Sequence, residues 1–322
     1  MPDQIAENPR FHEYVDLLDA PTLKATEVTF GFLTFPWGFD TARIQVRPLS
    51  DFSQRRDCFS SLLKDVKGQK VFYPPMVHTR SEARDGTWQI VPNTDVPADL
   101  WSPPISHLLD VSRLPDQDPH SGAATLIVRL LGFLAGQRTS FHDWDFDTRL
   151  VVNPSDRGFE VFPNHIGRIA ERALDAWLPL NDREQSAILN ALYLHSRARH
   201  VYWDWERFMH EHMVLDSMRW LVAQQHPGKW KDRASVKAVC AQFGIDYDHD
   251  RVNRIMDHRH SLVHEGLWGG ATPGFKMTAD IWNDVRDLGH LIQRMIAGAL
   301  GFASSFRASS WQDRMTHFLQ DD

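Results

Sequence analysis

The chain has little cysteine. Cys58 and Cys240 are its only two, far apart in 322 residues. Two cysteines do not make a disulfide framework, so burial must hold the fold, and a reducing compartment, the cytoplasm, is expected. Long apolar runs are also missing. The longest, Ala123 to Ala135, is interrupted by Arg129 and is too short to cross a bilayer, so no membrane association is expected. The opening MPDQIAENPRFHEY lacks the basic flank and apolar stretch of a secretory signal. Positive charge is not in excess either. A net charge of −7 with neutral histidines argues against a protein that coats nucleic acid, though not against one that grips a few phosphates locally. There is no internal repeat and no low-complexity segment.

What is present fits a globular protein: 42% hydrophobic residues, 24% charged, and twelve tryptophans whose large rings are expected mainly in cores. The pattern changes near residue 160. Before it, short β-type runs (Glu27–Phe35, Ala42–Val46, Trp88–Val91, Thr148–Val152) alternate with Pro-rich connections, and residues 92–122 hold six of the eighteen prolines. Leu126–Ala135 reads as strand or helix, since periodicity cannot decide so short an apolar run. The turn cluster Asn153–Gly158 is the expected boundary. After it, helices are predicted over about 164–178, 183–202, 205–225, 234–243, from after Asp248 toward 262, and over 279–300, with Asn164 and Asn181 or Asp182 as caps and Pro179, Pro227-Gly228 and Gly244 as stops. The expected fold class is α+β: a β-rich or mixed N-terminal domain over 1–158, an all-α bundle over 160–305, and a tail over 306–322.

The stretch with the most chemistry is Arg251-Val-Asn-Arg-Ile-Met-Asp-His-Arg-His-Ser-Leu-Val-His264, with three arginines, three histidines and one aspartate. In an acidic chain this is a local cationic spot. Guanidinium bonds two phosphate oxygens at once, and histidine moves protons near neutral pH. Together they suffice to cleave RNA without metal: a base takes the proton of a ribose 2′-hydroxyl, that oxygen attacks the adjacent phosphate, and a cation stabilises the charge that builds there. Residues five apart on a regular α-helix point about 140° away from each other. Arg259 and His264 therefore share a face only if the helix ends between them, or a second copy of the chain completes the site.

Arg259-His260-Ser261-Leu262-Val263-His264 resembles the signature of the HEPN superfamily: an arginine, a polar residue, and a histidine four to six residues after the arginine. The order of helices, with the motif late and one long helix after it, is similar too. The resemblance covers roughly 160–305 and is nearest in flavour to ApeA-like HEPN proteins, which join an N-terminal domain to a C-terminal HEPN domain. It implies a metal-independent endoribonuclease of phage defence or toxin type, acting as a homodimer whose two motifs face each other, with RNA as substrate, no cofactor, and a sensing or regulatory N-terminal domain that takes a partner or ligand. Arg259 would bind the scissile phosphate and His264 act as general base or acid. His260 would touch phosphate or set a tautomer. Asp216, an acid on the stripe Met209–Met213–Asp216–Trp220, would hold the fork of Arg259. Glu265 stands where many relatives carry glycine. The alternative is a non-catalytic nucleotide- or RNA-binding or scaffold module.

Two metal readings carry less weight. His260 and His264 are four apart, but Ser261 stands where a metalloprotease helix has glutamate. His142–Asp147 alternates as a strand would, which would place Asp143, Asp145 and Asp147 on one face. No metal is expected. Histidines 195, 200, 210 and 212, with aromatics between them, read as core and surface helix positions.

Overall fold

The computed structural model describes residues 16–66, 69–72, 75–82, 88–97, 100–116, 118, 120, 122–144, 146–147, 149–152, 159–225, 232–273, 279–302, 305–311 and 317–319. It is an α+β protein with strands in its N-terminal part and helices in its C-terminal part. It divides into two units, Met1–Ala124 with Gln137–Pro154, and Thr125–Gly136 with Ser155–Asp322. Among the described residues no helix is long and apolar enough to cross a membrane.

The first unit is built on an antiparallel five-stranded sheet. In spatial order it runs β10 (Ser140–Phe141), β1 (Glu27–Gly31), β9 (His107–Asp110), β3 (Gln45–Pro48) and β2 (Phe39–Asp40). Strand β1 is buried along its whole length, as an inner strand should be. After β3 comes helix α1 (Phe52–Leu62), which the sequence did not announce because only Phe52, Phe59 and Leu62 of it are buried. Phe59 stacks on Phe32 with centroids 4.1 Å apart, in a cluster with Phe72, Trp101 and Leu150. The smaller pairings are β4 (Lys64–Val66), β5 (Gln69–Phe72) and β12 (Leu150–Val151); β6 (Pro75–Glu82) with β7 (Trp88–Pro97); and β8 (Leu100–Trp101) with β11 (Phe146–Asp147). The carboxylate row expected at 142–147 is not one strand. His142, Asp143 and Trp144 lie in a turn, Asp143 bonds His120, and Arg138 bonds Asp147; Asp145 lies outside the described residues.

The ambiguous run before residue 136 is a helix, α2 (Gly122–Ala135), and from Thr125 on it belongs to the second unit. Leu126, Ile127, Leu130, Leu131 and Leu134 are fully buried, and a helix buried all round shows no period to read. Its one cation is paired: Arg129 Nη1 donates to the carbonyl of Leu189 at 2.9 Å.

The bundle follows as α3 (Ile166–Trp177), α4 (Asp182–Ala198), α5 (Asp204–Gln225), α6 (Asp232–Phe243), α7 (His249–His260) and α8 (Ala279–Ala299). Asn181 caps α4 in a full capping box with Glu184, and Asp248 caps α7 by accepting from the Arg251 amide. Asn164 does not cap α3; it lies in a 3₁₀ turn, Pro163–His165. The turn cluster 153–158 and Pro227-Gly228 lie outside the described residues. The expected tail is not a bare one. Phe306 of α9 (Ser305–Ala308) and Trp311 are buried, and β14 (His317–Leu319) pairs in parallel with β13 (Phe159–Val161), so this β pair lies beyond residue 158. Arg294 of α8 fastens the segment by donating to the carbonyls of Ser309 and Ser310.

Candidate active site

Helix α7 buries Val252, Ile255 and Met256, spaced i, i+3, i+4. Beside that stripe Arg251, Arg254 and His258 form a second one, which faces α8. Arg251 bonds Asp287, which is fully buried. Arg254 donates from Nε and Nη2 to Asp284 at 3.2–3.3 Å, and His258 Nε2 lies 3.1 Å from the same carboxylate. Burial alone would raise the Asp284 carboxyl; the hydrogen bonds from His258 and Arg254 outweigh it and hold it below its ordinary value. The His258 ring also packs near Trp268 and Phe208 (centroids 5.8 and 6.5 Å). Two of the three motif arginines and one of its three histidines thus bind the helix to its neighbour.

The remaining three differ. Arg259 turns about 100° away from His258 around the helix. It is half-buried, with no hydrogen bond or ion pair among the described residues, while His260 and His264 are exposed. The two imidazoles lie against each other, centroids 4.8 Å apart and planes at 47°.

The helix neither stops between Arg259 and His264 nor stays regular. It widens into a π turn over Ser261–Glu265. The Ser261 carbonyl accepts from the amides of Gly266 and Leu267, and Gly266 closes the turn at φ 66°, a conformation glycine adopts without steric penalty. Bonds of i→i+5 type lower the rotation per residue, so His264 comes back toward the side of Arg259, short of the 140° separation of an α-helix. Glu265 is turned to Ser261, whose hydroxyl donates to Oε2 at 2.8 Å; it makes no bond to His264 among the described residues.

Asp216 is not the partner of Arg259. Its carboxylate takes Arg219 Nη1 at 2.5 Å and lies 3.5 Å from His212 Nδ1, and Arg219 in turn reaches Ser235 of α6. Burial would raise this carboxyl, but His212 and Arg219 hold it low. The stripe Met209–Met213–Asp216–Trp220 is not a buried one, since Met213 is exposed, and the partners of Asp216 lie three and four residues away on α5 itself. Sequence reasoning missed Asp284 and Asp287. The signal was there: acids three apart on α8, opposite arginines three apart on the motif helix. The histidines of the α4–α5 hairpin are mainly core groups, with His195, His200 and His212 buried.

Comparison with models of protein families, with curated proteins and with solved structures finds no match to this chain.

Proposed function

We propose that the second unit is a HEPN-type endoribonuclease that cuts RNA without metal, with Arg259 and His264 as its reacting groups. The observation that carries this reading is the division of labour on α7. Arg251, Arg254 and His258 are bound to α8, whereas Arg259, His260 and His264 are left for a ligand at a π turn. π turns are rare and occur often at functional sites.

In this reading Arg259 grips two oxygens of the scissile phosphate. His264 takes the 2′-hydroxyl proton, the 2′-oxygen attacks phosphorus, and the 5′-oxygen leaves with a proton supplied by a second imidazole. His260, or His264 of a second copy, would supply it. The products are a 2′,3′-cyclic phosphate and a 5′-hydroxyl. A two-fold homodimer, the commonest oligomer geometry, would put two such sets in one cleft. The first unit would sense or bind a regulatory partner, and the whole would act in the cytoplasm as a toxin or antiviral effector. The net charge of −7 favours a second reading, a non-catalytic nucleotide- or RNA-binding or scaffold module that uses Arg259 only as a phosphate contact.

The test compares Arg259→Ala with Arg254→Ala. Arg259→Ala is expected to abolish cutting without moving the melting temperature, and Arg254→Ala to lower the melting temperature. RNA bound but never cut by the wild type would leave the binding module.

A further inference from the structure

The imidazoles of His260 and His264 meet on the surface of the second unit. Both side chains are exposed, and neither makes a hydrogen bond or ion pair among the described residues. Their ring centroids lie 4.8 Å apart, with the planes at 47°. A neutral imidazole carries one nitrogen lone pair, so two rings this close offer two donors to one ion.

The separation matches what a shared ion demands. A nitrogen stands about 2.0–2.1 Å from zinc and about 1.15 Å from its own ring centroid, so two rings on one ion have centroids about 4.5 Å apart at a right angle and about 5.2 Å apart at the tetrahedral angle. The observed 4.8 Å falls between these. Both rings are exposed, so rotation of each about its Cβ–Cγ bond can turn a nitrogen toward the ion.

The π turn brings the rings into line. On a regular α-helix a residue four places on stands about 40° past its predecessor. Widening over Ser261–Glu265 lowers the rotation per residue and takes that offset back, so His264 comes to stand over His260. Nearby charge is of both signs. Arg259 precedes His260 and repels a cation, whereas Asp257, one turn before His260, and Glu265, next to His264, are exposed carboxylates. Among the described residues no group of three or more His, Cys, Asp or Glu is gathered for a metal, so water would complete the shell of an ion on this pair. Two protein ligands make a reversible site, not the closed four-ligand cage of a structural metal.

We propose that His260 and His264 chelate a divalent first-row transition ion such as zinc, and that the ion switches cutting off. The switch rests on the reading of His264 as general base. An ion on its nitrogen occupies the lone pair that would take the 2′-hydroxyl proton, and the same ion holds His260 away from the leaving oxygen. Imidazole suits zinc, nickel or copper, whereas magnesium prefers oxygen donors. The nuclease then needs no metal and is stopped by one.

Zinc titration of the full chain without RNA, read by competition with a chromophoric chelator, tests the site apart from the cutting. A tethered second binding group strengthens binding by about 10²- to 10⁴-fold. His260→Ala and His264→Ala are therefore each expected to weaken the tightest zinc site at least about tenfold with the melting temperature unchanged, and Arg259→Ala to leave it intact. In RNA cleavage by the wild type, micromolar zinc should stop cutting, EDTA should restore it, and millimolar magnesium should do neither. No zinc binding by the wild type, equal binding in both histidine variants, or cutting untouched by zinc bound at the pair would overturn the proposal. Zinc bound at the pair by a wild type that cuts no RNA would keep the ion site and remove the nuclease reading, and the switch with it.

Discussion

His258 Nε2 lies 3.1 Å from Asp284 Oδ2, and this contact fixes the turn of α7 from which Arg259 projects. Arg254 uses the same carboxylate, so Asp284 sets the rotation of the motif helix from a place outside the motif.

Asp284→Ala should therefore lower stability by about 2 kcal/mol, the scale of losing hydrogen bonds to a buried charged group. Cutting should fall as well, because Arg259 and His264 lose their registration, although neither is altered. Chemical denaturation and an RNA cleavage assay check this. Unchanged cutting in Asp284→Ala would show that α7 holds its position without α8.

Asp216→Ala separates the expected role of that acid from the observed one. Arg219 and His212 hold Asp216 on α5, so the variant should cut RNA at the wild-type rate. Its stability should fall by at most about 1 kcal/mol, as for a partly exposed ion pair. A loss of activity like that of Arg259→Ala would reinstate Asp216 as the support of the arginine.

Acidification should destabilise both units. Burial depresses His107 of the first unit to about 3; burial and the charge of Arg294 depress His290 of the second to about 4. Unfolded, each takes up a proton near pH 6.5; folded, each stays neutral until the lower value. The stabilisation from the neutral folded form is therefore complete above about pH 6.5 and is lost as pH falls toward 3–4, by about 1.4 kcal/mol per pH unit for each histidine. Urea midpoints at pH 7 and pH 5 should differ accordingly. Equal midpoints would mean that these rings are not buried in neutral form.

Val263 and Leu267 flank His264 and are exposed apolar side chains, as a two-fold interface at the motif requires. Light scattering at micromolar concentration should give twice the chain mass, and Val263→Asp should give monomer and remove cutting. A strict monomer for the wild type, without RNA, would contradict the paired-motif arrangement.

The caps and breaks of the bundle were legible because they are local: Asn181, Asp248 and Gly244 act within a few residues of themselves. Helix α2 was not, since full burial erases periodicity, nor was α1, whose buried positions are too few. At the site, Arg259, His260 and His264 were readable as residues, but not their separation from Arg251, Arg254 and His258, which depends on Asp284 and Asp287 meeting them across the bundle. The π turn was hidden for a related reason: Gly266 announces an end to the helix, and nothing local announces that the helix widens before it ends.

The proposed cleavage depends on the ribose. An RNA should be compared with the same strand carrying one 2′-deoxy sugar at the cut position, in EDTA, with wild type, Arg259→Ala, Arg259→Lys and His264→Ala. The all-ribose strand should be cut to a 2′,3′-cyclic phosphate, and the deoxy position should not be cut. The two alanine variants should lose about 10²- to 10⁴-fold, and lysine, which lacks the two-pronged donor, should rescue poorly. Efficient cutting at the deoxy position, or full activity in His264→Ala, would contradict that mechanism.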